Sequence, residues 1–154
     1  MRLVVAAALT LMLASTTANA AMPERRLTPE EIAGLPQVGG GPGTSGLAGI
    51  RTTILSGDPT KAGPYTIALA VPAHTKIAAH THRDDRASVV VSGEWFFGYG
   101  AVADDGKVKA LAPGGFYTEP AGEPHFAQTR DKPAVVYISG VGPTDTVYQA
   151  APKP

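Results

Sequence analysis

The sequence predicts an all-β protein, folded as an antiparallel sandwich or barrel, and two observations support this. Glycine and proline are frequent, at 18 and 14 of 154 residues, whereas aromatic residues make up only 6%. Short apolar segments also recur at roughly 8–12-residue spacing, separated by turn sequences such as Asp104-Asp105-Gly106. Such a composition favours many short strands over a helical bundle.

Each predicted strand is rich in β-branched or aromatic residues, and proline or glycine recurs too often for long helices. Trp95, Phe97 and Tyr99 alternate along one strand and are expected to pack the core from one face. The ten predicted strands cover residues 50–55, 65–71, 77–82, 88–91, 94–99, 108–111, 116–119, 125–128, 134–141 and 146–148.

The N-terminus predicts an export signal over residues 1–20. A positively charged Arg2 precedes the apolar stretch 3–14, and the tripeptide 18–20 (Ala-Asn-Ala) is a small-x-small cleavage site. Polar residues 15–17 interrupt the apolar run well before the ~20 residues that a membrane anchor needs. We expect cleavage after Ala20 and a periplasmic or secreted protein with no membrane anchor after cleavage.

Residues 21–46 are expected to form an N-terminal extension and linker, and residues 47–154 the barrel. Within the extension, Thr28 is a helix-capping residue followed by proline and, three positions after the cap, by Glu31. This predicts a short helix over about 29–34, ended by Gly34. The glycine-rich run 39–46 reads as a flexible connection.

Composition excludes several functional classes. Thirteen basic and thirteen acidic residues give zero net charge, and charged residues are only 17% of the chain, so nucleic acid is not an expected partner. The chain has no cysteine, which excludes disulfides, thiolate metal sites and a cysteine nucleophile.

Three histidines carry the main functional signal. His80 and His82 are two residues apart on a predicted strand, so their side chains share a face, and Ala78 is expected on the same face. His125 opens a later strand, whereas His74 lies in a turn and is expected to be an ordinary surface or core residue. Three imidazoles converging inside a barrel would form an open site for one divalent transition metal; they suit Fe, Mn, Ni, Cu and Zn alike.

These residues fit two motifs, and through them the sequence resembles the cupin superfamily. His80, His82 and Gly93 fit the first cupin motif, G-x5-H-x-H-x3-E-x6-G. The second motif, G-x5-P-x-G-x2-H-x3-N, is matched in register by Gly114, Pro120, Gly122 and His125. The resemblance implies a single-domain jelly-roll barrel, or double-stranded β-helix, with a three-histidine metal site, and a homodimer formed through sheet edges.

Three motif positions differ from the cupin pattern: the leading glycine is His74, the closing asparagine is Thr129, and the glutamate of the first motif is Arg86. Arginine cannot ligate a cation, so the usual fourth protein ligand is missing. Asp84 and Asp85 are close in sequence, but they lie in the turn after His82 and are expected to be solvated there.

Glu119 is the better acidic candidate, because it precedes His125 by six residues across a turn and should share a strand face with Tyr117. The alternative is a surface acid on an edge strand. The resemblance implies a carboxylate near the metal at about this position, either bound to it or beside it. A buried Glu119 would need a partner, and Arg86 could orient it as a catalytic acid or base. Arg86 could instead receive an anionic substrate.

Two functions remain open at this point. Three neutral histidines leave the two charges of a metal uncompensated, which favours a small anionic or enolisable organic molecule. The first hypothesis is an exported metal-dependent dioxygenase of the cupin type, with Fe(II) favoured. The alternative is a non-catalytic cupin that serves as a small-molecule binding or structural barrel.

Overall fold

The computed structural model describes residues 22–40 and 45–150. Two antiparallel sheets face each other across an apolar core, which confirms the all-β prediction. The predicted export signal lies outside the described residues. Within these ranges, no helix combines the length and hydropathy needed to span a membrane.

The described residues form one short helix and eleven strands. In chain order they are α1 Pro29–Ala33, β1 Gln37–Val38, β2 Arg51–Ser56, β3 Gly63–Val71, β4 Lys76–Thr81, β5 Arg86–Gly93, β6 Trp95–Tyr99, β7 Lys109–Leu111, β8 Phe116–Glu119, β9 His125–Gln128, β10 Ala134–Gly142 and β11 Val147–Tyr148.

Six strands form the first sheet, in the order β1-β2-β3-β10-β5-β8, and five form the second, in the order β11-β4-β9-β6-β7. Every pairing is antiparallel. Neighbours in each sheet are mostly distant in sequence, as in a jelly roll. This topology places β4 and β9, the two histidine-bearing strands, side by side.

All ten predicted strands are present, with ends within two residues of those expected. The helix is also confirmed: Thr28 and Glu31 form a reciprocal capping box, and the helix ends at Gly34. Strand β1 was not predicted, because two exposed residues carry no periodic pattern.

Strict alternation in β5 and β8 sends polar side chains into the core. Along β5, Arg86, Ser88 and Val90 are buried while the residues between them are exposed. Along β8, Tyr117 and Glu119 are buried, as predicted, and the register pairs them with Ser88 and Arg86 respectively. Two polar layers are thereby stacked inside the barrel, about 7 Å apart along the strands.

The aromatic prediction for β6 is correct at two of three positions. Trp95 and Phe97 are buried in the core, but Tyr99 is 51% exposed. Tyr99 lies at the end of its strand, where its hydroxyl donates to the carbonyl of Thr118 at 2.7 Å. The core has ended at this position, so the burial of Tyr99 that alternation predicted is wrong.

The prediction for Ala78 is wrong, and a β-bulge explains why. Ala78 is exposed, whereas Ala79, His80 and His82 are buried. Between Ile77 and His80 the strand has two residues opposite a single residue of β9, which reverses the side-chain alternation at that point. The bulge turns both histidines inward in phase.

Gly93, the closing glycine of the first motif, allows a close backbone contact. It has φ +79°, and a Cβ built there would lie 1.8 Å from the carbonyl oxygen of Pro133. Gly122 of the second motif also has a positive φ, +74°, but nothing lies within 4 Å of its Cβ position. Gly93 is required both because a side chain would collide with the backbone and because of its positive φ, whereas Gly122 is required by its positive φ alone.

We therefore expect Gly93→Ala to destabilise the protein much more than Gly122→Ala. The strained φ alone should cost about 1 kcal/mol at Gly122, and displacement of the Pro133 backbone should raise the loss at Gly93 to about 3 kcal/mol or more. Urea unfolding of both variants measures the difference. Equal losses would contradict the proposed close contact.

Candidate metal centre

Three buried histidines meet at one end of the barrel interior. His80 and His125 are register partners on β4 and β9, and His82 follows the end of β4. Their ring centroids are 4.5 to 5.1 Å apart. Their ligand atoms all lie within 4.8 Å of one another, so the three could hold one metal ion.

Backbone carbonyls set the orientation of all three rings. Nδ1 of His80 contacts the carbonyl of Ala78 at 2.8 Å, and Nδ1 of His125 contacts that of Glu123 at 3.1 Å. Nδ1 of His82 contacts the carbonyl of Asp145. A carbonyl only accepts hydrogen bonds, so each Nδ1 carries the proton and each Nε2 keeps a lone pair. Histidine metal ligands are commonly fixed in this way.

Burial keeps the imidazoles neutral. It lowers the pKa of His80 to about 4 and that of His82 to about 2, and the neighbouring Arg86 charge adds to the shift at His82. Burial also lowers the pKa of His125. At pH 7 all three rings are therefore neutral, with Nε2 unprotonated, as metal ligands must be.

Glu119 and Arg86 form a buried ion pair beside the histidines, as the sequence suggested. Nε of Arg86 donates to Oε2 of Glu119 at 2.5 Å, and Nη2 contacts the same oxygen. That oxygen lies 3.7 Å from Nε2 of His82 and 3.6 Å from Nε2 of His125. The carboxylate thus stands next to two of the three candidate ligands.

The donor set fits a divalent metal, with one contact that has to change. Nε2 of His125 is buried and has no hydrogen-bond partner among the described residues, so its lone pair is available to a metal ion. Nε2 of His82, however, lies 2.5 Å from Nη2 of Arg86, which donates to it. A metal would need that lone pair, so Arg86 would have to give up its hydrogen bond to His82. It would then keep its contact with Glu119, or donate to a bound anion.

The cavity at this site is small. It has about 20 Å³ of space for the centres of water-sized spheres, which is room for about one water molecule. The three histidines, Arg86 and Glu119 line one part of it. The other lining residues are Ser45, Leu69, Ile77, Trp95, Phe97, Tyr117, Ala127 and Ile138.

The two aspartates after His82 behave differently from each other. The expectation that Asp84 is solvated is wrong: it is 8% exposed and accepts hydrogen bonds from the hydroxyls of Tyr65 and Thr144. The turn folds back towards β3 and β10, which the local sequence does not reveal. Asp85 is exposed and caps the amide of Ala121. Neither joins the histidine group.

Sequence reasoning missed the residue that orients His82. The carbonyl of Asp145 holds Nδ1 of that ring, and its carboxylate accepts from the amide of Arg83 at 2.8 Å. No sequence signal could have found this contact, because every residue has a carbonyl. His74 is an exposed turn residue with φ +57°, outside the site.

No protein-family model and no curated protein sequence matches this chain. Solved structures do match. A polyketide cyclase, RemF from Streptomyces resistomycificus, superposes with TM-score 0.63 and 14% identity over 85% of this chain and 89% of its own. An RmlC-like cupin from Shewanella frigidimarina has TM-score 0.56 and 18% identity, covering 78% of this chain and 92% of its own.

DMSP lyases are also similar in structure. DddQ from Ruegeria pomeroyi matches with TM-score 0.53 and 18% identity over 67% of this chain. The chain spans about half the length of the DMSP lyases it matches, 54% for DddQ and 47% for another. At these identities the likeness establishes the fold alone.

Fold and site together define a cupin-fold protein with a three-histidine group that could hold a metal. Within that class, this chain has an arginine where the first cupin motif has its glutamate. That arginine is paired with a glutamate from a neighbouring strand.

The stability of the metal-free protein should fall as the pH drops below 6.5. Unfolded histidines gain a proton near pH 6.5, whereas His80 and His82 stay neutral in the folded protein down to about pH 4 and about pH 2. The unfolded state then binds more protons, so the free energy of unfolding should fall by about 1.4 kcal/mol per pH unit for each histidine.

Urea unfolding with a chelator between pH 7.5 and 5 measures this slope. His80→Gln should remove its share, whereas His74→Gln, at the exposed turn, should not. A free energy of unfolding that does not change over this range would contradict the burial of neutral rings.

Glu119→Gln should destabilise the protein by about 3–5 kcal/mol, because it removes the counter-charge of a buried guanidinium. The double variant Arg86→Met/Glu119→Gln should recover most of the loss. Asp105→Asn serves as control: it breaks the exposed Lys76–Asp105 pair and should cost less than about 1 kcal/mol. Chemical unfolding checks all three, and additive losses in the double variant would argue against a coupled pair.

Proposed function

We propose that this protein is an exported, metal-dependent cupin that acts on a small oxygenated anion, by dioxygenase-like chemistry with Fe(II) as the favoured metal. The carrying observation is the set of three carbonyl contacts that turn every Nε2 lone pair towards the others. The fold neighbours add support, since a polyketide cyclase and DMSP lyases act on small molecules. Export over residues 1–20 and homodimerisation through sheet edges complete the proposal.

Charge selects the class of substrate. The three histidines are neutral, and Arg86 and Glu119 cancel each other, so a bound divalent ion would bring two uncompensated charges into a buried site. An anion is the natural occupant of its open positions. Arg86 can strengthen that preference, because a guanidinium released from His82 can donate to a carboxylate or enolate.

Glu119 is the proposed base. Its Oε2 is held by Arg86 and lies beside His82 and His125, where it could take a proton from a C–H or O–H of a molecule bound at the histidines. A bound metal would supply Lewis-acid activation, and a redox-active one would also supply chemistry with O₂. The small cavity would exclude bulk water from the reacting atoms.

A non-catalytic cupin is the second candidate function. Two observations favour it: the cavity has room for about one water molecule, and Arg86 donates to His82 as if replacing a cation. In this case the barrel would bind a small molecule or serve a structural role, with the metal structural or absent.

Metal analysis tests the metal site, which the first candidate function requires and the second only allows. We expect about one equivalent of divalent metal in the purified wild-type protein, and its loss in His80→Ala and His125→Ala with the circular dichroism spectrum unchanged. His74→Ala should keep the metal, because that residue lies outside the site. A metal-free wild-type protein after exposure to Fe(II), Mn(II), Ni(II), Cu(II) and Zn(II) would exclude the metal site.

Oxygen uptake then separates the two candidates. Fe(II)-loaded protein should consume O₂ with a member of a diketone or phenol panel, and Glu119→Gln should slow that reaction while keeping the metal. Bound metal without any turnover would favour the non-catalytic barrel.

A further inference from the structure

Three buried polar atoms in the barrel have no hydrogen-bond partner among the described residues. They are Oγ of Ser88, Nε1 of Trp95 and the phenolic oxygen of Tyr117, and we call them the donor cluster. Their residues are 1%, 2% and 6% exposed. Each such atom costs about 1–3 kcal/mol if it stays unsatisfied, so three together indicate that something else completes them.

The donor cluster occupies the layer directly beneath the Arg86–Glu119 pair. Ser88 and Tyr117 are opposite each other in the same register that pairs Arg86 with Glu119, one step further along the strands. Trp95 and Tyr117 line the same cavity as the three histidines. The ring centroid of Phe97 lies 4.2 Å from that of Tyr117 and 5.5 Å from that of His125. Phe97 thus connects the donor cluster to the histidine group.

The chemistry of the cluster calls for an acceptor. An indole N–H can only donate a hydrogen bond, and both hydroxyls can donate as well. Burial raises the pKa of Tyr117, so the phenol keeps its proton; Ser88 and Trp95 are close enough to offset part of this, though none of the three meets hydrogen-bond geometry. The two hydroxyl oxygens can also accept, so Ser88 and Trp95 can satisfy part of the cluster at Tyr117 after small adjustments. Two contacts among the three groups use only two of their three protons, so at least one donor still needs an acceptor from outside the cluster.

We propose that the donor cluster binds the far acceptor atom of a small anion whose near end is held at the three histidines. This deepens the proposed function and rests on it, because the near end needs the cation. Along β5 and β8 the Ser88–Tyr117 layer lies about 7 Å from the Arg86–Glu119 layer, and Oε2 of Glu119 is 3.6 Å from Nε2 of His125. A carboxylate with a polar contact at each end is of similar length. The cavity, with room for about one water molecule, would have to widen to admit even a carboxylate, so the part of the ligand that lies between the two layers can be no larger than that.

Anion titrations of the Zn(II)-loaded protein test this inference, with formate and azide as probes and propionate as the oversized comparison. Trp95 is the only tryptophan in the chain, so its fluorescence reports directly on the cluster. We expect formate and azide to bind more tightly than propionate. Tyr117→Phe and Ser88→Ala should each weaken formate binding by about tenfold without changing zinc stoichiometry.

Tyr99→Phe is the matched control, since it removes an exposed hydroxyl from an adjacent strand and should leave formate affinity unchanged. Trp95→Phe, followed by calorimetry, tests the indole donor. If the cluster holds only a structural water, Tyr117→Phe will lower the melting temperature and leave anion affinity unaltered, which overturns the inference. Propionate binding as tightly as formate would overturn it too.

The outcome is separable from that of the proposed function. If Tyr117→Phe binds a full equivalent of zinc and has wild-type affinity for formate, the donor-cluster inference is wrong and the metal site is still supported. A protein that binds no metal defeats the proposed function, and the inference is rejected with it because the near end of the anion then has no cation.

Discussion

Three backbone carbonyls determine the chemistry available at the centre of this protein. Each fixes the proton of one imidazole on Nδ1, so three lone pairs face the same small volume. Lone pairs turned towards one another repel unless a cation or a donor lies between them. In the described chain Arg86 meets this need at His82, while Nε2 of His125 has no partner. The geometry therefore favours a positive charge at this point.

The arginine at the motif glutamate position alters the electrostatics of the cupin site. A ligating carboxylate would lower the charge of a bound metal, whereas Arg86 keeps that charge undiminished and pairs with Glu119 instead. The charge is left for an incoming anion to neutralise. The same pair places an acid and a strong hydrogen-bond donor within reach of that anion. A divalent metal bound here would therefore attract an anion more strongly than one that also has a carboxylate ligand.

Most of the fold, and the grouping of the three histidines with Arg86 and Glu119, were predictable from sequence because both depend on regular spacing along the chain. The recurrence of apolar segments between turns predicted the ten strands. Alternation predicted that Glu119 shares a face with Tyr117, and the spacing of His80 and His82 predicted that they share one too. Predictions were wrong where the period is interrupted or the chain folds back. A bulge moved Ala78 to the surface, and Asp84 is buried by residues far away in sequence.

The contacts that orient the rings were beyond sequence reasoning for another reason. They are made by main-chain atoms of residues 78, 123 and 145, whose side chains are irrelevant to the bond. The donor cluster was likewise hidden, since serine, tryptophan and tyrosine each have ordinary places in a β protein. Only the register shows that Ser88 and Tyr117 share one interior layer, and only the cavity lining brings Trp95 beside Tyr117.

Main-chain support of this kind has a consequence for how the protein tolerates change during evolution. A carbonyl survives replacement of its residue, so single substitutions near positions 78, 123 and 145 leave the imidazoles held as long as the chain keeps its path. A one-residue insertion or deletion between β10 and β11 would instead shift the oxygen away from His82. This site should therefore tolerate changes of composition around the histidines much better than changes of loop length.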